Sequence, residues 1–475
     1  MNDEKDYSRP PDSYRKKYQA PKLEEIIEDS FSKEDELLSY TYRDVKPLSF
    51  KDAFSKSFRL GYTSFGGQRD HQLLIKKEFV DSEYLTESEY RYLLTLCKLL
   101  PGYSSTQFLT TIATLKTESI LGGLLAFIGF ISPSLVAVLI LTYILKSIKI
   151  QIYQDIPNIQ PNTQYFTMEN DPLVYSLMVI SSGVSHGALA LLITAAYIRA
   201  KKLSNSHFQV CLLVWAGFMY YYFNNYVFIL TLILICGFIS MFKQDQHYLL
   251  DQSIVKFRLN NIRFLGTTSL VLFTSLFIVF SIADLFSTSQ KFRFLDSFMR
   301  IGSLCFGEGH VVVPFILTEY NNKKLLEESD VLDAFTIVSL LPGPMFNIAA
   351  YVGVMVDDFI SGILSGIIIF IPGILIAFSA LPFINKIKNS AFIQYFIRGA
   401  SSAALGFVFT ASFTLWIDSC FVNPYNNPVI GTLNVILCYI LASGYDVYKP
   451  AIIIFGALFL LFSEYFNYFL LKQNI

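Results

Sequence analysis

Charge is what this chain has least of. Only 16% of its 475 residues are Asp, Glu, Lys or Arg, where a soluble domain carries about 25%. That deficit excludes a water-facing globule of this size and leaves lipid as the neighbour of most of the surface. Histidine is scarce too, at five, and the six cysteines at 97, 211, 236, 305, 420 and 438 form no CxxC pair. Five of those cysteines sit in apolar runs and read as small packing residues, so no metal centre and no cofactor are expected. HExxH and Walker loops are missing, which leaves zinc-protease and nucleotide chemistry without a recognisable motif. A net charge of −1 argues against nucleic acid as a partner. Residues 1–46 lack an apolar run and are expected to form a polar, disordered tail, neither signal peptide nor span.

What the chain has is apolar length. It is 53% hydrophobic, with 44 Phe and 29 Tyr and a mean hydropathy of +0.45. A span needs about 20 apolar residues to cross roughly 30 Å. Residues 120–145, 173–198, 265–286, 359–384, 391–416 and 449–470 satisfy this. Segments 207–223 and 226–242 are shorter, and Asn224-Asn225 between them suggests a helical hairpin turning at the interface. Segment 429–442 is borderline.

Two stretches are copies. FRLGYTSFGG…LLPG at 58–102 reappears as MRIGSLCFGEG…LLPG at 299–343, at a constant offset of 241 and with 14 of 45 positions identical. Arg59 falls on Arg300, Phe65-Gly66 on Phe306-Gly307, Glu78 on Glu319 and Pro101-Gly102 on Pro342-Gly343. A duplicated, Gly/Pro-broken membrane unit is the usual sequence sign of a secondary transporter. The expected fold is an all-α polytopic membrane protein of two homologous units, 47–263 and 291–475. Residues 264–290 form a linking span, and the broken half-helices meet at a central site. Basic clusters at Arg199, Lys201 and Lys202 and at Lys243, Lys256, Arg258 and Arg263 flank one hairpin. The positive-inside rule puts both in the cytoplasm, and one further span then makes the two units inverted. The membrane itself is left unspecified.

Each motif carries a functional and a plain reading. Gly66-Gly67 and Gly307-Glu308-Gly309 end amphipathic segments, where bare N–H groups suit an anion; the plain reading is packing on small residues. The Pro101-Gly102 and Pro342-Gly343-Pro344 breaks free backbone groups beside Ser104, Ser105, Gln107 and Asn347; the plain reading is a kinked helix. Arg59, Arg300, Lys98, Glu308 and His310 are charged or ionisable groups in apolar context, costly unless they face a cavity or one another. The paired arginines could attract an anion or snorkel to the interface. Glu308 could pair with His310 or an Arg, or carry a coupling proton. Glu78 and Glu319 read as solvated helix faces, and Thr86 with Glu89 as a capping box.

At these residues the chain resembles the chromate ion transporter family in its two-halves form. The first half shows Phe58-Arg59-Leu60-Gly61, Thr63 to Gly67, His71, Glu78-Phe79-Val80, Leu100-Pro101-Gly102, Ser104-Ser105, Gln107 and Phe130 to Ser134. The second shows Phe298 to Ser303, Phe306-Gly307, Gly309 to Pro314, Pro342-Gly343-Pro344, Phe346, Ala349 to Gly353, Ile369 to Pro372 and Ala380 to Phe383. The resemblance implies alternating-access transport of chromate or a sulfate-like dianion, coupled to an ion such as a proton. It also adds Phe65, His71 and Phe306 to the site. A homodimer is compatible with it. Four positions depart from the family pattern: Gln68, Lys98, Tyr103 and Glu308. They keep open a rival reading, a transporter-derived membrane protein with another substrate or a scaffold role.

Overall fold

The structure, a computed structural model, describes residues 45–155, 172–203, 206–223, 225–242, 262–286, 290–306, 309–323, 326, 328–383, 387, 390–423, 427–445 and 447–473. Among them there is helix and no strand. The expected tail falls almost wholly outside the described residues, as do Asn224, Lys243, Lys256, Arg258, Gly307 and Glu308.

Half one opens with α1 (Phe50–Thr63), α2 (Gln68–Phe79), α3 (Glu87–Leu99), α4 (Ser104–Lys116) and α5 (Ile120–Asp155). It continues with α6 (Pro172–Leu203), α7 (His207–Tyr222) and α8 (Tyr226–Phe242). α9 (Ile262–Phe286) links to half two, which begins with α10 (Gln290–Leu304), α11 (Val312–Lys323), α12 (Glu328–Leu340) and α13 (Ile348–Val356). Then come α14 (Phe359–Ile368), α15 (Ile371–Ala380), α16 (Ala391–Ile417), α17 (Pro428–Gly444) and α18 (Lys449–Gln473). Six segments are long and apolar enough to cross a membrane: Ile120–Ile148, Pro172–Leu203, Ile262–Ile282, Phe359–Phe383, Ala391–Val422 and Lys449–Leu470. They are the six read from hydropathy. α9 exposes Leu270, Val271, Leu272, Ile278, Val279 and Ile282, the side chains that lipid would cover.

Helix starts follow local chemistry. Ser49 caps α1 by accepting from Asp52 N–H at 3.1 Å. Thr86 and Glu89 form the expected capping box of α3. Asp358 caps α14 by accepting from Ser361 N–H at 2.7 Å.

The same crossing is built twice. α1 packs along α5, and α10 packs on α14 and α15. Gly61 and Gly302 mark the two contacts. A Cβ on Gly61 would lie 2.6 Å from the Phe130 carbonyl and 3.0 Å from the Pro133 ring. A Cβ on Gly302 would strike the Ile369 carbonyl and lie 2.9 Å from the Pro372 ring. Proline leaves the preceding turn short of a hydrogen bond, and the glycine lets the amphipathic helix seat against that turn. α5 runs on through Pro133, whereas the equivalent span breaks at Ile369-Phe370 into α14 and α15.

The halves interlock through their breaks. α5 touches α13, α4 touches α15, and α6 packs against α16, α17 and α18. Gly102 N–H, freed by the break between α3 and α4, donates to Cys305 O at 2.7 Å. Gly343 N–H, freed between α12 and α13, donates to Ser64 O at 2.8 Å. Both donors and both acceptors are 241 apart, so one bond is the copy of the other across the junction. Gln107 Nε2 adds a bond of 2.9 Å to Gly373 O, and Asn347 Nδ2 donates to Ser134 Oγ. Lys146 on α5 closes the C-terminus of α13, donating to Val354 O at 2.6 Å and Asp357 O at 2.7 Å.

Gly102 and Gly343 hold φ of +112° and +110°, the region where an L side chain is strained. A Cβ on Gly102 would lie 2.7 Å from Gly373 Cα, and one on Gly343 would strike Ser134 Oγ. Gly102→Ala and Gly343→Ala are each expected to destabilise by at least about 1–2 kcal/mol from backbone strain alone. Gly444→Ala, with nothing within 4 Å, should leave the melting temperature in detergent unchanged. Equal melting temperatures for all three would contradict the interlock.

Candidate anion site at the junction of the halves

α1 ends at Thr63, and the chain turns through Ser64 to Gly66, whose φ is +113°. Gly67 is the N-cap of α2. Its N–H donates to Asp70 Oδ2 at 3.0 Å, and Lys449 Nζ at the start of α18 donates to the same oxygen at 2.7 Å. Burial works against the Asp70 carboxylate, but the hydrogen bond and charge of Lys449, then the Gly67 N–H, outweigh it. The carboxyl is held below its usual value. The pair is therefore present at neutral pH and weakens only as pH falls through that lowered value. Nothing in the repeat pointed to Lys449; the only trace was a lone Lys-Pro opening the last span.

The first turns of α2 and α4 face each other. Gln68 Nε2 donates to Ser104 Oγ, and Gln72 Nε2 does so at 3.3 Å. Ser105 Oγ donates to Gln68 O at 3.3 Å. His71, fully buried, places Nδ1 3.3 Å from the Tyr103 hydroxyl. Gln107 Nε2 also donates to Pro101 O at 2.5 Å. Several atoms here are buried without a hydrogen-bond partner: Gln68 Oε1, His71 Nε2, Thr106 Oγ1 and Gln107 Oε1. The Ser64 carbonyl acts on the His71 ring as a backbone acceptor, yet no bond of normal geometry forms at Nε2. Each such atom costs about 1–3 kcal/mol if nothing else meets it, and four of them lie in one neighbourhood. If Tyr103 O–H donates to Nδ1, then Nε2 carries the proton and has only the poorly aligned Ser64 carbonyl as its acceptor.

Half two supplies an aromatic face and not a second polar one. At the repeat offset, Gln68, His71, Gln72, Ser104 and Ser105 become Gly309, Val312, Val313, Met345 and Phe346. Phe346 lies with its ring centre 5.2 Å from Tyr103 and 5.5 Å from Phe370. A Cβ on Gly309 would sit 2.5 Å from the Tyr103 ring. So the duplicated backbone frame carries one polar face and one aromatic face.

The remaining predicted residues stand around this centre. Phe65 meets Tyr448 at 5.5 Å. Phe306 and His310 line a small cleft with Arg199 and Ser401, and His310 Cε1 lies 3.7 Å from where a Gly67 Cβ would be. Pro344 and Asn347 frame a single 3-10 turn, Met345–Asn347. Asn347 Oδ1 is a further buried atom without a partner. Gly307 and Glu308 lie outside the described residues. Lys98 is exposed in the last turn of α3, where a cation complements the helix dipole.

The paired arginines face carboxylates of their own half. Arg300 is held by Asp296 at 2.7 Å and Glu319 at 2.9 Å, and Ser297 Oγ donates to Glu319 at 2.6 Å. Arg59 stands 4.0 Å from Glu78, which Lys56 also holds at 2.8 Å. The reading of Glu319 as a solvated face is corrected: it is 5% exposed, buried by the arginine and serine it serves.

Two homologous helical halves, interlocked through broken helices around a buried polar centre, define a polytopic membrane transporter architecture. The chromate transporter family model matches residues 51–241 and 292–462, and the chain belongs to that family. It is an integral, multi-pass membrane protein of a transporter family, for which an anion substrate and a lipid bilayer are the implied partners. An uncharacterized transporter of Methanocaldococcus jannaschii is 22% identical over 370 residues, covering 77% of this chain and 84% of that protein. A chromate transport protein of Pseudomonas aeruginosa is 17% identical over 375 residues, covering 76% and 80%. A protein of Synechococcus elongatus named as a probable chromate transport protein is 24% identical over 367 residues, covering 75% and 82%. No solved structure matches.

Equivalent arginines should behave differently. The Arg300 side chain is 19% exposed and the Arg59 side chain 66%. Arg300→Gln strands Asp296 and Glu319 and is expected to cost about 3–5 kcal/mol of stability. Arg59→Gln should cost less than about 1 kcal/mol. Thermal unfolding of the two variants in detergent checks this; similar losses would contradict the assigned pairings.

Proposed function

We propose that the chain carries a tetrahedral dianion, chromate or a sulfate-like ion, across the membrane by alternating access between its halves. The observation that supports this most is the group of buried, unpartnered polar atoms on Gln68, His71, Thr106 and Gln107, gathered where α2 and α4 begin. Helix N-termini carry partial positive charge and bare N–H groups. The His71 Nε2–H and the Ser104 hydroxyl add short donors. The names of the Pseudomonas and Synechococcus relatives favour chromate as the first anion to try.

In this reading the units 47–263 and 291–475, joined by 264–290, are inverted and rock about the paired breaks. The bonds from Gly102 to Cys305 and from Gly343 to Ser64 act as the shared pivot. Arg59 and Arg300, each beside a carboxylate, shape the field at longer range, while the donors of α2 and α4 touch the ion. A proton is the coupled ion.

One feature favours the rival reading, a different cargo or a scaffold role. Tyr103, 3% exposed, fills the space between His71, Phe346 and Phe370 where the family pattern has proline.

Flux of chromate and sulfate into proteoliposomes separates the two. The protein should transport at least one of them. Gly102→Leu and Gly343→Leu should abolish flux with the protein still inserted. His71→Gln should raise KM about tenfold, the equivalent of one lost hydrogen bond of about 1.4 kcal/mol. Unchanged kinetics in His71→Gln would remove the α2–α4 pocket from the path, and no flux of any oxyanion would favour the rival.

A further inference from the structure

A second polar cluster lies in the body of the bundle, apart from the α2–α4 pocket. His186 sits near the midpoint of the span Pro172–Leu203 and is fully buried. Its Nε2 lies 3.6 Å from Cys420 Sγ, and its Nδ1 lies 3.4 Å from Asn434 Nδ2. Asn434 is fixed in turn, donating to Gly456 O at 2.8 Å and accepting from Cys438 Sγ at 3.6 Å. Cys420 belongs to a π-helical turn, Asp418–Val422, that closes α16. Such turns are rare and concentrate at functional sites. Gly431 lets α17 approach the ring closely, since a Cβ there would lie 3.1 Å from His186 Cε1.

Polar side chains recur on the same face of α6 toward the helix start, interrupted by the buried Val179. Ser182, one turn before His186, accepts from Asn423 Nδ2 at 3.0 Å. Two turns earlier, Tyr175 donates to Glu464 Oε2 at 3.3 Å, and Ser176 Oγ lies 2.9 Å from the Tyr465 hydroxyl. Glu464 Oε1 is buried without a hydrogen-bond partner. Positions 175, 182 and 186 share one helical face and cover about 16 Å of rise at 1.5 Å per residue. Polar groups therefore stand at intervals from a carboxyl near one end of the span to an imidazole at its centre, with Val179 between the first two.

Ionisable groups at span centres are costly and are kept for ion or proton traffic. We propose that His186 is a proton-binding site, with Glu464 collecting the proton and the Asn423–Ser182 contact lying between them. The step balances: the O–H bond of a protonated Glu464 breaks, His186 Nδ1 gives up its bond from Asn434 Nδ2 and takes the proton there, and carboxylate and imidazolium result. Bulk water then reprotonates Glu464. Other titratable or charged groups on elements packed against α6 include His207 and Cys211 on α7, Glu328, Asp330 and Asp333 on α12, Arg398 on α16, Asp418 and Cys420 in the π turn, Cys438 on α17 and Lys449 on α18. His186 differs from them in joining a mid-span position to a polar track. Among the described residues, no group of three or more His, Cys, Asp or Glu is placed to hold a metal ion, so the donor set fits a proton better than a cation.

This inference rests on the transport reading, and the test keeps the two apart. The full chain in proteoliposomes is assayed with chromate and with sulfate in two ways: counterflow at equal pH, and uptake driven by a pH gradient. His186→Gln should keep counterflow within twofold and lose gradient-driven stimulation at least tenfold. Glu464→Gln, at the half-buried end of the track, should lose stimulation as well, and it serves if His186→Gln does not fold. Full stimulation in either folded variant overturns the assignment. So does a wild-type protein with counterflow and no response to the gradient. A wild-type protein without counterflow of either anion overturns the transport reading, and this inference with it.

Discussion

A broken helix inside a bilayer leaves backbone groups that water cannot reach, and everything at the centre of this molecule follows from how they are satisfied. The chain breaks at Pro101-Gly102 and again at Pro342-Gly343. Each freed glycine N–H finds a carbonyl of the opposite half, Cys305 for Gly102 and Ser64 for Gly343. In the sequence both acceptors stand just before a Phe-Gly pair, and each half completes the other. The glycines make this geometry affordable to the backbone, with φ near +110° at both breaks and no side chain between the crossing strands of chain.

Symmetric backbone and asymmetric side chains then divide the work. The frame is duplicated down to the proline-facing glycines, Gly61 and Gly302. Half one lines its share with Gln68, His71, Ser104 and Ser105, while half two offers Gly309, Val312, Met345 and Phe346. One polar face against one aromatic face is the outcome. Charge is kept at the margin, where Arg300 and Glu319, and more loosely Arg59 and Glu78, balance one another.

Much of this was legible in the sequence, for physical reasons. Length and hydropathy identified the six long spans because lipid imposes one thickness on all of them. The constant offset of 241 identified the halves, and Pro-Gly identified the breaks because those two residues change backbone chemistry locally. Partners were less legible. The repeat showed that Gly102 and Gly343 are equivalent, but not that each bonds to the other's half. Glu78 and Glu319 recur 19 residues after their arginines, but polar surroundings made them look solvated and the ion pairs were not read from the spacing. Lys449, beside Asp70, and the His186 cluster lie outside the repeated motif. Only packing of α18 and α16 onto earlier helices brings them to their neighbours. Gly307 and Glu308, singled out by sequence, lie outside the described residues.

The central claim is that one oxyanion sits at the junction of the halves. A crystal structure of the protein with tungstate, a heavy tetrahedral dianion, tests it most directly through anomalous scattering. The account expects one peak at the starts of α2 and α4, within hydrogen-bond reach of His71 Nε2 and the Ser104 hydroxyl. A peak confined to another part of the bundle, such as the groove lined by Tyr197, Lys201 and Phe218, would contradict it.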